Sequence, residues 1–418
     1  MRSFISPISS IDTGKGLFLL FFCAIYILNP ILGIVLCLFY ILGQSQRGTP
    51  TYIYITFFAF LACWLGCANM TKFPTGDLPG YIHQFNLVPE LGFYRTIFEA
   101  WGGTGKEPLY SFFTYIGYYL CLGKASIYFG MLVFIMYFLL FISTYKLFQR
   151  INASKFELLC GIFSLAFFTQ YFVLTSHLIR QMLAMSVVIY AIVDRVVYGR
   201  YNWICLIGSI LIHTSSLLLV LLSFLPWVYQ RLSVSRAIIL SICFIPFIIF
   251  NVQIGYILGG HNLPIETIQY AIERYGSNEG DGLNNGLNIS TSLILMVFIP
   301  LLIVICRLMW ILRKEKKHPI YPIVTLCLIL MLFVLLFSQN PLIQYRFFYY
   351  SYTFIPLLLP LMFYRSNQNY DKIYCFVVSF FFISRFFLIH NTSGMQFAPM
   401  SVLCTMPIPY YFLSSFYY

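Results

Sequence analysis

Hydrophobic and polar positions alternate along this chain in long blocks. Apolar runs occupy residues 17–43, 52–68, 127–148, 156–173, 179–198, 238–254, 290–312, 321–338, 347–363, 373–390 and 399–416. About 20 helical residues cross a bilayer core, so each run is long enough, or nearly so, for a span. The run at 203–228 differs because it lies between basic segments that belong on one side of a membrane. It therefore predicts a helical hairpin with His213 at its tip. The first run predicts a retained span kinked at Pro30. The stretch 107–122, "EPLYSFFTYIGYYLCL", is short and aromatic, and it predicts a helix lying in the outer interface, the alternative being a short true span.

Composition turns this pattern into a class. The 418 residues are 60% hydrophobic, 20% aromatic and only 9% charged, with a mean hydropathy of +0.83. A water-exposed surface cannot be built from that composition. The expectation is an all-α polytopic integral membrane protein of about 11 to 13 transmembrane helices, forming one membrane domain over residues 1–418. The twelve cysteines lie in apolar runs or at their ends and read as small hydrophobes rather than a disulfide framework.

Charge then orients the chain. The net charge of +12 is concentrated in short connections: Lys146, Arg150, Lys155, Arg195, Arg200, "RKEKKH" at 313–318, Arg365 and Lys372. All of these can be cytoplasmic at once, as the positive-inside rule requires. The basic excess therefore speaks for membrane lipids as neighbours and against nucleic acid. Residues 69–126 become a first outer loop and 255–289 a second. No G-x-x-x-x-G-K-[ST], H-E-x-x-H or C-x-x-C occurs, so neither ATP-driven transport nor zinc chemistry is expected. Cys63 and Cys67 have no histidine partner, and Glu279 and Asp281 read as part of a polar linker. No metal and no cofactor are predicted.

Polar groups that could do chemistry collect on the outer side. Asp77 follows Gly76, precedes a predicted Pro-Gly turn, and is followed by Tyr81; it is either a carboxylate held near the membrane surface or a solvated loop acid. Glu107 opens the interfacial helix, where a helix N-terminus favours a carboxylate. "SHLIRQ" puts His177, Arg180 and Gln181 at the start of an inward-going helix. Arg346 holds the same depth on a second helix and Arg385 on a third. Such arginines either snorkel to headgroups or bind phosphate, for which a permanently charged planar fork is well suited. His213 is either a buried histidine bonded to backbone or a functional group, with the hydroxyls of Thr214, Ser215 and Ser216 available to the hairpin tip.

Taken in order, five stretches resemble the EpsG-like branch of the Wzy polysaccharide polymerases. They are Lys72 to Tyr81 read as basic-x3-G-D-x3-Y, "EPLY" at 107–110, "IRQMLA" at 179–184, "IHTSS" at 212–216, and R-x3-Y-x5-P at 346–356. The family often carries arginine where Lys72 stands. The resemblance implies a GT-C-like glycosyltransferase, independent of sugar nucleotides, in the bacterial inner membrane. Its donor and acceptor would both be undecaprenyl-pyrophosphate-linked glycans, joined into O-antigen or a related polysaccharide on the periplasmic face. A chain-length regulator is a further partner the resemblance brings into view. Under this reading Arg180, Arg346, Lys72 and Arg385 bind pyrophosphate, and Asp77, Glu107 or His213 is the base. Tyr81, His177, Gln181 and Tyr350 line the substrate. An O-antigen ligase and a flippase of the lipid-linked unit are the alternatives.

Overall fold

The computed structural model describes residues 13–44, 49–99, 107–233, 235–239, 241–242, 291–336, 341–366, 368–389 and 397–414. The second outer loop, with Glu279 and Asp281, and most of the predicted span 238–254 lie outside the described residues. What is described is helical, without a strand.

Helix α1 (Thr13–Leu28) ends at Asn29, whose side chain accepts from the Leu32 amide and caps α2 (Pro30–Gly43). Pro30 cannot donate into the α1 ladder but is well placed in the first turn of a new helix. The two helices fold back on each other, the Phe22 and Tyr40 rings meeting edge-on at 6.1 Å. The expected kinked span is thus corrected to a hairpin of two helices too short to cross singly.

The centre is formed by α3 (Thr51–Met70), α4 (Leu78–Asn86), α5 (Val88–Phe98), α6 (Pro108–Leu120), α7 (Ala125–Ile151), α8 (Lys155–Ala166), α9 (Thr169–His177) and α10 (Ile179–Tyr198). Helices α3 and α7 run antiparallel. Tyr145 bonds Thr51 at one end, and Gly66 meets Gly130 near the other. A Cβ on Gly66 would lie 2.6 Å from the Gly130 carbonyl oxygen, so glycine allows the backbones their close approach, as small residues do between membrane helices. Helix α10 runs parallel to α7, joined near their ends by Lys146 and Asp194 at 2.7 Å.

Helices α11 (Trp203–Ile212) and α12 (Leu217–Phe224) form the expected hairpin. The rings of Trp203 and Phe224 stack at 5.4 Å, and His213 stands at the turn. Then come α13 (Thr291–Ile311), α14 (Tyr321–Leu336), α15 (Pro341–Tyr352) and α16 (Gln368–Ile389), followed by α17 (Met400–Thr405) and α18 (Ile408–Leu413). The predicted spans 347–363 and 399–416 are both broken. The first gives way to short turns around Pro356 and Pro360, the second to a break before Pro407.

Four described helices are long and apolar enough to cross a membrane: α3, α7, α10 and, over Ile294–Ile311, α13. Helices α8 and α9, bent by 50° at their junction, make a fifth if counted as one span. Shorter apolar helices, among them α1, α2, α11, α12 and α14, accompany them among the described residues. The molecule is an all-helical, multi-pass membrane protein.

The two ends of the bundle differ in content. Met70, Ala125, His177 and Ile179 mark one end. Ile151 and Tyr198 mark the other, where the basic connections gather. There Lys155 donates to the carbonyls of Leu42 and Gln44, Tyr364 donates to the Ile151 carbonyl, and Arg365 pairs with Glu315. The predicted common side for these cations is what the contacts produce.

Candidate functional site

At the first end, the chain leaving α3 enters a tight connection. Gly76 adopts φ +63°, and a Cβ there would collide with the Nδ1 of His177, so both conformation and space demand glycine. Asp77 then opens α4, with Pro79 in its first turn. The expected Pro-Gly turn is corrected: Pro79 and Gly80 are helical, because proline is tolerated where the amide would be unbonded anyway.

Lys72 is fully buried. Its Nζ donates to Ser176 Oγ at 2.7 Å and lies 2.9 Å from His177 Nε2. Burial pushes its ammonium down to about 7, while Asp77 pulls the other way. A lysine held this way ties the end of α3 to the α9–α10 break. Asp77 is exposed on its outward side. The protein crowding its inner side nevertheless raises its carboxyl above the usual range, with Arg180, Arg346 and Lys72 opposing that rise.

Arg180 stands in the first turn of α10, after the backbone breaks at Leu178. Its Nη1 meets Glu107 Oε2 at 2.5 Å, and its Nε donates to the Tyr81 hydroxyl at 3.3 Å. The side chain is 23% exposed. It therefore turns inward to a partner and does not snorkel. Glu107 is 8% exposed and sits in a left-handed backbone conformation before α6, with no capping hydrogen bond from its side chain. The expected capping role is corrected: the carboxylate serves Arg180 instead of the helix end.

His213 reaches the same carboxylate from the hairpin tip, its Nε2 3.6 Å from Glu107 Oε1. That is longer than a hydrogen bond. On the other side of the ring, Nδ1 accepts from the Ser215 amide at 3.1 Å and lies 2.8 Å from Ser215 Oγ. Ser215 Oγ is in turn 2.9 Å from the Tyr350 hydroxyl. With Nδ1 accepting, the proton of the neutral ring belongs on Nε2, facing Glu107. Ser216 Oγ donates to the His213 carbonyl, as the polar tip of a hairpin requires. Gln181, also buried, donates to the Arg346 carbonyl at 2.9 Å and so joins α10 to α15.

The site brings together Asp77, Glu107, His213, Arg180 and Arg346 as a core, with buried Lys72, Tyr81, Gln181 and Tyr350 and half-buried His177 as support. Arg385 does not join them. No contact between it and the core is found among the described residues, and its neighbour Phe386 packs on Trp64, Phe167 and Phe172. Equal depth on a helix was not enough, since α16 presents that position to different neighbours. One participant carries too little signal in the sequence, Ser176, the partner of Lys72; Ser215, already placed at the hairpin tip, links His213 to Tyr350.

Chemically, half-buried guanidiniums at the end of the bundle that also carries an exposed carboxylate with a raised pKa can hold anionic oxygens and accept a proton. No group of three or more His, Cys, Asp or Glu side chains able to hold a metal ion is present among the described residues. No curated protein and no solved structure gives a significant match. The EpsG family model, however, matches residues 51–402, most of the chain and all of this site, and the protein therefore belongs to the EpsG family, whose members are Wzy-type polymerase-like.

Proposed function

We propose that the protein is a glycosyltransferase that polymerises polyprenyl-pyrophosphate-linked oligosaccharide units, the undecaprenyl carrier being the expected one, on the outer face of a bacterial inner membrane. The observation that carries this reading is the cluster at one end of the bundle in which Glu107 and Tyr81 hold Arg180, His213 approaches the same carboxylate, and Gln181 of the same turn ties in the Arg346 backbone, within a family of polymerase-like proteins.

In this reading the bond between the anomeric carbon and the pyrophosphate oxygen of the donor breaks, and a glycosidic bond forms to a hydroxyl of the acceptor unit. Negative charge grows on the leaving pyrophosphate. Arg180 and Arg346 oppose that charge more strongly in the transition state than in the ground state, which is the condition for catalysis. Arg180 is preorganised for this by Glu107 and Tyr81.

The acceptor hydroxyl must lose a proton. Asp77 is the better candidate of the two carboxylates, because it is open to the outside and its pKa is raised toward the working range. Glu107, tied to Arg180, is a weaker base and acts as a positioning residue. His213, with its Nδ1 occupied by Ser215, holds the far side of Glu107.

Deleting the gene in its host and separating the surface glycan by size tests this. A polymerase null leaves single repeat units on the final acceptor. Accumulated lipid-linked polymer with a bare acceptor would instead assign ligation, and repeat units stranded on the cytoplasmic side would assign flipping.

A further inference from the structure

At the end opposite the candidate site, the last turns of α13 and the chain after Phe363 line an open cleft of about 390 Å³ bordered by Arg307, Trp310, Arg313, Lys314, Tyr364 and Arg365. Arg365 is engaged by Glu315. The other three cations have no acidic partner among the described residues. Arg307 lies inside the apolar segment Ile294–Ile311, where a charge is costly without a partner. Its Nε is buried and finds no hydrogen-bond acceptor among the described residues, although its guanidinium lies over the Phe363 ring.

One face of α13 leads into this cavity. Met296, Ile299, Ile303, Cys306 and Trp310 are all exposed and recur at three- and four-residue steps, so they form a single apolar stripe along the helix. Trp310 belongs to both the stripe and the cavity, in the manner of an interfacial tryptophan. A soluble anion would use only the cations, whereas a lipid uses the cations and the stripe together.

We propose that this basin binds the phosphate headgroup of an anionic phospholipid of the leaflet facing that end, with its acyl chains along the α13 stripe. The site is independent of the polymerase reading, because no residue of the candidate site takes part.

The test is native mass spectrometry of the full chain released from nanodiscs of phosphatidylglycerol and phosphatidylethanolamine, counting retained lipids. Selective retention of phosphatidylglycerol is expected. Arg307→Gln, Arg313→Gln and Lys314→Gln should each weaken it by about fivefold, and Arg200→Gln, on the same end but outside the cavity, should leave it unchanged. Arg313 and Lys314 are exposed, so their double variant carries the test even if Arg307→Gln inserts poorly. Undiminished retention in that double variant overturns the proposal, as does an equal loss in Arg200→Gln. Displacement of the lipid by millimolar inorganic phosphate overturns it too, by assigning the cavity to a soluble anion.

Discussion

The two Arg–Glu pairs at opposite ends of the bundle use the same residue types in opposite ways. At the candidate-site end, Arg180, Glu107 and Lys72 are turned into the protein and bound to one another or to Ser176, His177 and Tyr81. At the other end, Arg365 and Glu315 pair across a surface that leaves them 47% and 35% exposed, and Arg313 and Lys314 face outward. The number of charges decides nothing here, since the basic end has more of them. What separates the two pairs is desolvation: a charge removed from water must be held by specific partners, as Lys146 and Asp194 also are, and that holding gives it a fixed geometry. Fixed geometry is what catalysis requires and what a topogenic charge does without.

The largest effect should come from breaking the buried pair. Glu107→Ala leaves the Arg180 guanidinium without its carboxylate, and removing one partner of such a pair costs about 3 kcal/mol or more. Polymer should be lost and the detergent-solubilised protein should melt earlier. Glu107→Gln keeps the shape and one acceptor oxygen and should retain more stability than activity. An Ala variant that melts and polymerises like the wild type would erase the contrast between the two ends.

Next in size are Arg180→Lys and Arg346→Lys. Both keep the charge, but lysine lacks the planar fork that grips two oxygens at once. If the guanidiniums act on the leaving pyrophosphate, each change should slow polymerisation by about 100-fold, the loss typical of one preorganised donor. The readout is the ratio of long to single-repeat chains at matched protein level. Near-normal ladders from both lysine variants would reduce the arginines to point charges and make the two ends alike.

Lys72 sharpens the comparison through pH. Its pKa is about 7 in the folded protein against an ordinary value of 10.5. Between those values the unfolded chain binds more protons than the folded one, so stability should rise as pH increases from about 7 toward 10. Below about pH 7 the group is protonated in both states and adds no slope. Thermal melts across this window should show the rise in the wild type and not in Lys72→Met. A variant with the same slope would mean that another group titrates there.

Much of this contrast was legible in the sequence, and its limits have physical causes. The positive-inside rule placed Lys146, Lys155, Arg195 and Arg365 together without any knowledge of contacts, because it depends only on which side of a membrane a loop occupies. The hairpin around His213 followed from the same bookkeeping of sides. Span counting fared worse: hydropathy does not register that Asn29 and Pro30 restart a helix, or that Pro356, Pro360 and Pro407 break one. Partner choice was the least visible. Arg180, Arg346 and Arg385 are equivalent by depth, yet only the packing of α10, α15 and α16 decides which of them join the cluster around Glu107 and Gln181. The same holds for Ser215, whose bond to His213 depends on the extended backbone at the hairpin tip.

The smallest expected effect concerns the exposed pair at the basic end. Arg365→Gln removes the partner of Glu315, yet both side chains keep enough contact with water to be solvated when separated. Exposed ion pairs typically contribute between about 0 and 1 kcal/mol, and salt screens them further. In lipid-free detergent the melting temperature should therefore fall by about a degree or two at low salt and by less at 0.5 M salt. Chain length of the polymer should not change. The measurement is useful because it has the same form as the Glu107 experiment, one partner removed from one Arg–Glu pair. If Arg365→Gln cost as much as Glu107→Ala, pairing rather than desolvation would be what fixes these charges, and the distinction between the two ends would fail.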